Sequence, residues 1–250
     1  MPFLILTQAR SGSYHLAALL NSAPDITCFG EIFKENALEL PKPQLAKLGL
    51  TNRDMAARDA DPIGLLNALR KDTEAEGAIF GFKDFLPNLN RVKLFGKLGH
   101  SKNWQKIIQL RNPIERYISR RRAAETGVFV VKQGESVTAE LLHTKIRFDA
   151  DSFSQFLKNH MRFVEVAQNL HHKHGDAAVF TTRYEKLSDP QHLQAILKFV
   201  GSKASADQLT SDHVKQYEKP LSEGVVNWDA FAAHLAANEL THLLPDDANP

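Results

Sequence analysis

The residues with the clearest chemical potential lie in one short stretch, Thr7-Gln8-Ala9-Arg10-Ser11-Gly12-Ser13-Tyr14. An apolar strand that enters a small-residue turn and then a helix aims successive backbone N–H groups inward, and the helix N-terminus adds partial positive charge. Gly12 permits close backbone approach. Ser11 and Ser13 carry hydroxyl donors, and Arg10 offers a charged fork suited to phosphate or sulfate. The chemistry expected of this loop is anion holding; read alone, the same residues also serve as a polar turn with an N-cap serine. Two other phosphate loops are absent from the sequence. No Lys follows Gly12 as GxxxxGK[ST] requires, and there is no GxGxxG. Nor does an evident strand end in a magnesium-binding Asp.

Other chemistry-bearing residues are fewer. The single cysteine, Cys28, excludes an internal disulfide and any CxxC metal or redox site. His171, His172 and His174 cluster near Gly175 without an acidic or Cys companion in the pattern, and read as a solvated helix end rather than a metal site. Trp104 and Trp228 read as packing residues.

These residues need elements to position them. Phe3–Thr7 is a continuous apolar run, as expected of a strand buried on both faces. A helix carrying Leu16, Leu19 and Leu20 follows and stops at Asn21-Ser22-Ala23-Pro24-Asp25. Short strands are expected at 26–29, 78–82, 106–110 and 177–181. Asn112-Pro113-Ile114-Glu115 carries three helix-start signals: an N-cap Asn, Pro at the first helical position, and a Glu placed for a capping box. Long helical spacing runs from Phe153 to Leu170, a helix over 193–200 ends at Gly201, a further helix is expected around Ala139–Thr144, and the last near 230–242. Strands alternating with helices predict a three-layer α/β, P-loop-like fold with a short, mostly parallel central sheet flanked by helices. The expected organisation is one domain over 1–250, with helical insertions around 34–75 and 124–150.

Composition bounds the function. The 250 residues include 31 Lys/Arg and 29 Asp/Glu, for a net charge of +2, with 43% apolar and 24% charged residues. That balance argues against a disordered tail and against a strongly cationic nucleic-acid binder. The sequence pI near 8.6 mildly favours anionic ligands. No apolar run approaches the roughly 20 residues that cross a bilayer, and MPFLILTQAR lacks the basic segment of a signal peptide. The expectation is a reduced, cytoplasmic protein; the sequence leaves the oligomeric state open.

Four blocks then carry a resemblance. Thr7–Phe33, TQARSGSYHLAALLNSAPDITCFGEIF, resembles the N-terminal block of PAPS-dependent sulfotransferases. The likeness is to the bacterial nodulation-factor and trehalose branch and to the Golgi carbohydrate and tyrosylprotein enzymes. Ala23 stands where that family has His. Ile107–Arg122, IIQLRNPIERYISRRR, resembles the family's 3′-phosphate block, with Arg111 and, eight residues later, Ser119. Arg111 leaves a strand at the edge where open α/β sheets bind ligands, and Ser119 falls about two turns into the helix. Thr182–Leu187 resembles the family's YEDL segment, which would bring Tyr184 to the nucleotide. Lys219–Trp228 resembles its PLSE…NW loop, which would bring Ser222 over the cofactor. Together the blocks touch about a quarter of the chain in the family's order.

The resemblance implies transfer of a sulfuryl group from 3′-phosphoadenosine 5′-phosphosulfate (PAPS) to an acceptor hydroxyl of a carbohydrate or small metabolite, by in-line displacement and without a metal. It implies that Arg10, Ser11, Gly12, Ser13 and Tyr14 hold the 5′ end, and that Arg111 and Ser119 hold the 3′-phosphate. Glu31, in Phe29-Gly30-Glu31-Ile32-Phe33, matches the family's acidic base, and Lys83, at the end of an expected strand, would steady the sulfuryl oxygens. His15 is the competing base. Arg120, Arg121 and Arg122 point three ways on one helix, so at most one or two face a ligand, and Ala123 stands where tyrosylprotein-type enzymes have another Arg. The alternatives are a P-loop kinase-like phosphotransferase using ATP and magnesium, and a non-catalytic nucleotide-binding relative. The acceptor is expected to be chosen by 34–75 and 124–150, where Lys132, Glu135, Glu140 and Lys145 do not discriminate among acceptors.

Overall fold

A computed structural model describes residues 1–131, 133, 144–213 and 220–245. The expected helix around Ala139–Thr144 and the residues Lys132, Glu135, Glu140 and Lys219 lie outside the described residues, apart from Thr144 itself. The described chain forms two compact units, 1–110 with 166–211 and 111–165 with 212 onward.

The first unit holds a sheet of five strands: β1 (Phe3–Thr7), β2 (Ile26–Phe29), β3 (Ile79–Phe85), β4 (Gln105–Leu110) and β5 (Val179–Arg183), in the order β2-β3-β1-β4-β5. Every pairing is parallel, so the sheet is the doubly covered kind that the apolar runs anticipated. All five residues of β1 are buried, as befits the strand with a partner on each side. The chain runs from β1 to one side of the sheet for β2 and β3, and to the other for β4 and β5. The strand order therefore reverses at β1, and the loop after it stands at the switch point where open α/β sheets bind ligands.

On one face, Phe3, Ile5 and Ile107 pack against Leu16, Leu19 and Leu20 of α1 (Ser13–Asn21) and against Ile196, Leu197 and Val200 near the end of the helix Pro190–Val200. Each such side chain contributes about 1.5–3 kcal/mol by leaving water. The stretch 34–75 carries three helices: α2 (Lys42–Lys47), α3 (Met55–Ala60) and α4 (Pro62–Ala75). Two short helices that the periodicity did not reveal, α5 (Leu86–Arg91) and α6 (Phe95–Gly99), lead from β3 to β4.

β3 corrects one expectation. The apolar run predicts a strand over 78–82 with Lys83 at its end. The strand continues to Phe85, with Lys83 opposite Ile5 and Asp84 opposite Leu6 of β1. Both charged residues are 0% exposed.

The second unit opens with α7 (Pro113–Thr126). Asn112 Oδ1 accepts from the N–H groups of Ile114 and Glu115 at 2.9 and 3.2 Å, and Gly127 ends the helix in the left-handed region at φ 71°. Ile114, Tyr117, Ile118, Phe148, Phe153, Phe156 and Phe231 form its core. Asn227 pins the chain at Phe148, accepting from its N–H at 2.8 Å and donating to its carbonyl at 3.1 Å. The last helix is Trp228–Ala237, shorter than expected, followed by a single turn at Thr241–Leu243.

Candidate functional site

The loop after β1 takes the backbone shape of an anion cradle. Arg10 and Gly12 both lie in the left-handed region, at φ 69° and 76°, on either side of Ser11. A non-glycine residue there is uncommon and strained, and reversals of this kind turn consecutive N–H groups to one side. Gly12 is the N-cap of α1, no side chain caps the helix, and no acidic residue stands in its first turn. The site must be Gly for a second reason. A Cβ on Gly12 would fall 2.1 Å from the Tyr184 ring, so Tyr184 lies directly against the turn. The structure thus brings together two sequence candidates 172 residues apart. Beneath them Gln109 Nε2 donates to the Ser11 carbonyl at 2.8 Å, while its Oε1 is buried without a hydrogen-bond partner among the described residues.

Glu31 and Lys83 also meet. Lys83 Nζ donates to Glu31 Oε1 at 2.5 Å, and the two side chains are 0% and 5% exposed. The same ammonium sits 3.5 Å from the centroid of the Tyr14 ring. Burial pulls the Lys83 amine below its ordinary value, opposed by the charge and hydrogen bond of Glu31. Asp84, on the opposite pleat, does not bond Lys83. It accepts from the N–H of Phe33 and Phe85 at 2.9 and 2.8 Å and from Asn88 at 2.7 Å. Burial raises its carboxyl to about 6.

A second carboxylate, Glu39, completes this cluster and was not anticipated. It accepts the Tyr14 hydroxyl at 2.7 Å, Lys34 Nζ at 2.7 Å and the Glu31 backbone N–H at 3.2 Å. A Cβ on Gly30 would come within 3.0 Å of Glu39 Oε2, so the glycine before Glu31 leaves the room Glu39 uses. Glu39 lies in a segment without periodicity or motif, and no sequence signal marks it. Tyr14 was assigned through its backbone; its side chain contributes as well, the ring to Lys83 and the hydroxyl to Glu39.

In the second unit, Arg111 Nε donates to Glu115 at 3.1 Å, so Glu115, expected to complete the capping box, holds the arginine. Ser119 lies seven residues into α7, half-buried. Arg116, not singled out by the sequence, is buried over the Phe156 ring at 4.2 Å, and its guanidinium is pulled down to about 9 by burial and by Arg120 and Arg111. Arg122 Nε donates to the Thr144 carbonyl and Arg121 pairs with Glu125, which gives both structural duties. Ser222 Oγ is buried without a hydrogen-bond partner among the described residues.

His15 shares a 2.9 Å hydrogen bond with Ser211 and meets the Tyr184 ring edge-on. His171 pairs with Asp176, and His174 stacks on His100. No group of three or more metal-ligating side chains occurs among the described residues. No described helix is long and apolar enough to cross a membrane.

No protein-family model and no curated protein matches the chain. Solved structures do. A sulfotransferase domain from the curacin biosynthetic pathway is 14% identical over 90% of this chain and 82% of its own, with a TM-score of 0.53. A sulfotransferase from Alicyclobacillus acidocaldarius is 18% identical over 96% of this chain and 94% of its own, with a TM-score of 0.47. A sulfotransferase domain of the Synechococcus PCC 7002 olefin synthase is 15% identical over 86% and 78%, with a TM-score of 0.48. The likeness to the curacin domain gives the fold: the chain has the α/β architecture of a sulfotransferase domain. Activity has to be argued from the side chains.

Proposed function

We propose that the protein transfers a sulfuryl group from PAPS to an acceptor hydroxyl. The observation that carries this reading is the buried Glu31–Lys83 pair against Tyr14, one residue into the helix that the Gly12 turn begins. Two charges withdrawn from water are costly to a fold unless they are used or fully paired, and here they stand beside a turn shaped for an anion.

PAPS supplies the transferable sulfuryl group. The residues present fit it: a left-handed turn, an uncapped helix start and no acidic residue in the first turn. Arg10 and the N–H groups of residues 11–14 would hold the 5′-phosphate end, with Tyr184 against the turn. Arg111 and Ser119 would take the 3′-phosphate, and Ser222 would lie over the nucleotide. Such catalysis is positioning plus electrostatic stabilisation. Lys83 would steady the oxygens of the group in transit, which frees Glu31 from its ion pair as charge develops. Glu31 would take the acceptor's proton, with Ile32 and Phe33, both 0% exposed, excluding water. The acceptor class, carbohydrate or small metabolite, rests on the sequence resemblance alone.

The test combines a screen of hydroxyl acceptors with labelled PAPS, read by mass spectrometry for an added sulfuryl group, and nucleotide binding without magnesium. Arg10→Ala and Arg111→Ala each remove a charged hydrogen bond worth about 1.5–3 kcal/mol, so affinity for adenosine 3′,5′-bisphosphate should fall roughly 10- to 100-fold. Glu31→Gln should keep that affinity and lose about 10²–10⁴ in turnover. Unchanged affinity in the Arg111 variant, or binding that requires magnesium and a triphosphate, would count against the reading.

A further inference from the structure

Glu31 is 4% exposed. Each turnover would leave a proton on it, and the next cannot begin until that proton has gone. The structure offers a way out. The Tyr14 hydroxyl donates to Glu39, and the Tyr14 ring and the Glu31 carboxylate share one partner, the Lys83 ammonium, which sets the phenol beside Glu31. A phenol has one proton, and here it is donated to Glu39 at 2.7 Å. What the Tyr14 oxygen has left to offer Glu31 is therefore lone pairs. They repel a carboxylate and accept from a carboxylic acid, so the contact becomes favourable when Glu31 is protonated. Beyond Tyr14, Glu39 is 23% exposed and paired with Lys34, itself 39% exposed. The chain of groups runs from a dry carboxylate to water in two transfers.

We propose that Tyr14 and Glu39 form a proton exit from Glu31, relaying the acceptor's proton to solvent after each transfer. The inference rests on Glu31 being the base. The steps balance as follows. The acceptor oxygen bonds to sulfur, the bond from sulfur to the nucleotide phosphate oxygen breaks, and the acceptor proton goes to Glu31. Glu31 O–H then passes its proton to the Tyr14 oxygen while the Tyr14 proton moves to Glu39, and Glu39 releases it to water. Tyr14 is a phenol before and after, and its hydroxyl rotates back. Phenolate never has to form, which matters because burial, the charge on Glu31 and the bond to Glu39 push Tyr14's ionisation far above the ordinary range. Glu39 is suited to release the proton and not to keep it. Burial raises its carboxyl, but hydrogen bonds from Lys34 and Tyr14 and the charges of Lys83 and Lys34 outweigh that and hold it below the usual range.

The test uses Tyr14→Phe, which keeps the ring under Lys83 and the backbone of the turn, and Glu39→Gln. In either variant product should appear as a burst of one per protein followed by a steady rate on the order of tenfold slower, less than the 10²–10⁴ of losing the base itself. Raising the concentration of a small buffer such as imidazole should restore the steady rate in Tyr14→Phe and leave the native protein's rate unaltered. A merely structural defect would slow first and later turnovers alike and ignore the buffer, and that result overturns the proposal. A second readout needs no turnover. With ¹³C-labelled glutamate carboxyls, the Glu39 titration midpoint should rise in Tyr14→Phe, because a donor is lost; an unmoved midpoint also overturns it. If the native protein transfers no sulfuryl group while the Glu39 midpoint moves, the functional reading fails and the hydrogen-bonded chain stands.

Discussion

Three acidic groups within ten residues of one another in the chain or facing across it, Glu31, Glu39 and Asp84, meet different fates because their partners differ. Glu31 is given an ammonium, Glu39 a lysine and a phenol, and Asp84 only neutral donors. Neutral donors do not offset the loss of water for a charge that is 0% exposed, so the Asp84 carboxyl is pushed up, from 3.8 to about 6. The consequence for stability has a definite sign. The folded chain binds this proton more tightly than the unfolded one. Its contribution is therefore fully present below pH 3.8 and is lost as pH rises through 6, amounting to about 3 kcal/mol across that window. Asp84→Asn removes the titration, at a cost of about 1–3 kcal/mol because an amide cannot accept on both sides. Urea midpoints measured from pH 3.5 to 7 should decline in the native protein relative to the variant; parallel curves would show that Asp84 is not the titrating group.

At the scale of elements, β1, the Gly12 turn and α1 form a unit in which strand burial, turn geometry and helix start all serve one position. Gly12→Ala tests it. Alanine at φ 76° costs about 1–2 kcal/mol, and its Cβ would also drive the Tyr184 ring away. Pairing Gly12→Ala with Tyr184→Ala should relieve the collision and leave the backbone penalty. Denaturant unfolding should then show the two changes falling short of additivity, while nucleotide binding stays weak in both Gly12 variants. Full additivity would mean that Tyr184 does not rest on the turn. The elements here were largely legible in the sequence. FLILT reads as a strand buried on both faces and is one, and Asn112-Pro113 begins its helix as the sequence suggests. Apolar runs and caps are local signals. What escaped notice was non-local. The last residues of β3 look like a solvent-facing end until Glu31 arrives 52 positions away to neutralise Lys83. Glu39 has no meaning until Tyr14 and Gly30 are beside it. The sequence leaves open which of Arg120, Arg121 and Arg122 faces a ligand, and it does not announce that Arg122 Nε will donate to the Thr144 carbonyl. Periodicity reports which face is buried; it does not report which charges will be paired there.

For the molecule as a whole, each of the two units has a core of its own, one around Phe3, Ile5 and Leu20, the other around Tyr117, Phe153 and Phe231. The functional reading assigns the 5′ end of the nucleotide to residues 10–14 and its 3′-phosphate to Arg111 and Ser119. Ligand binding stabilises whatever it holds by mass action, about 2.7 kcal/mol at a hundredfold excess over Kd, and local opening reports that gain segment by segment. Amide exchange should therefore slow together at residues 11–15, in the turn and the start of α1, and at residues 114–120, in α7, on titration with adenosine 3′,5′-bisphosphate. Because one ligand carries both phosphates, the two segments should share a single half-saturation concentration. Adenosine 5′-monophosphate lacks the 3′-phosphate and should protect the first segment while leaving the second near its free rate. Protection of α7 with a different midpoint, or by the monophosphate equally, would mean that Arg111 and Ser119 serve some other anion, and the assignment of the 3′-phosphate would have to be withdrawn.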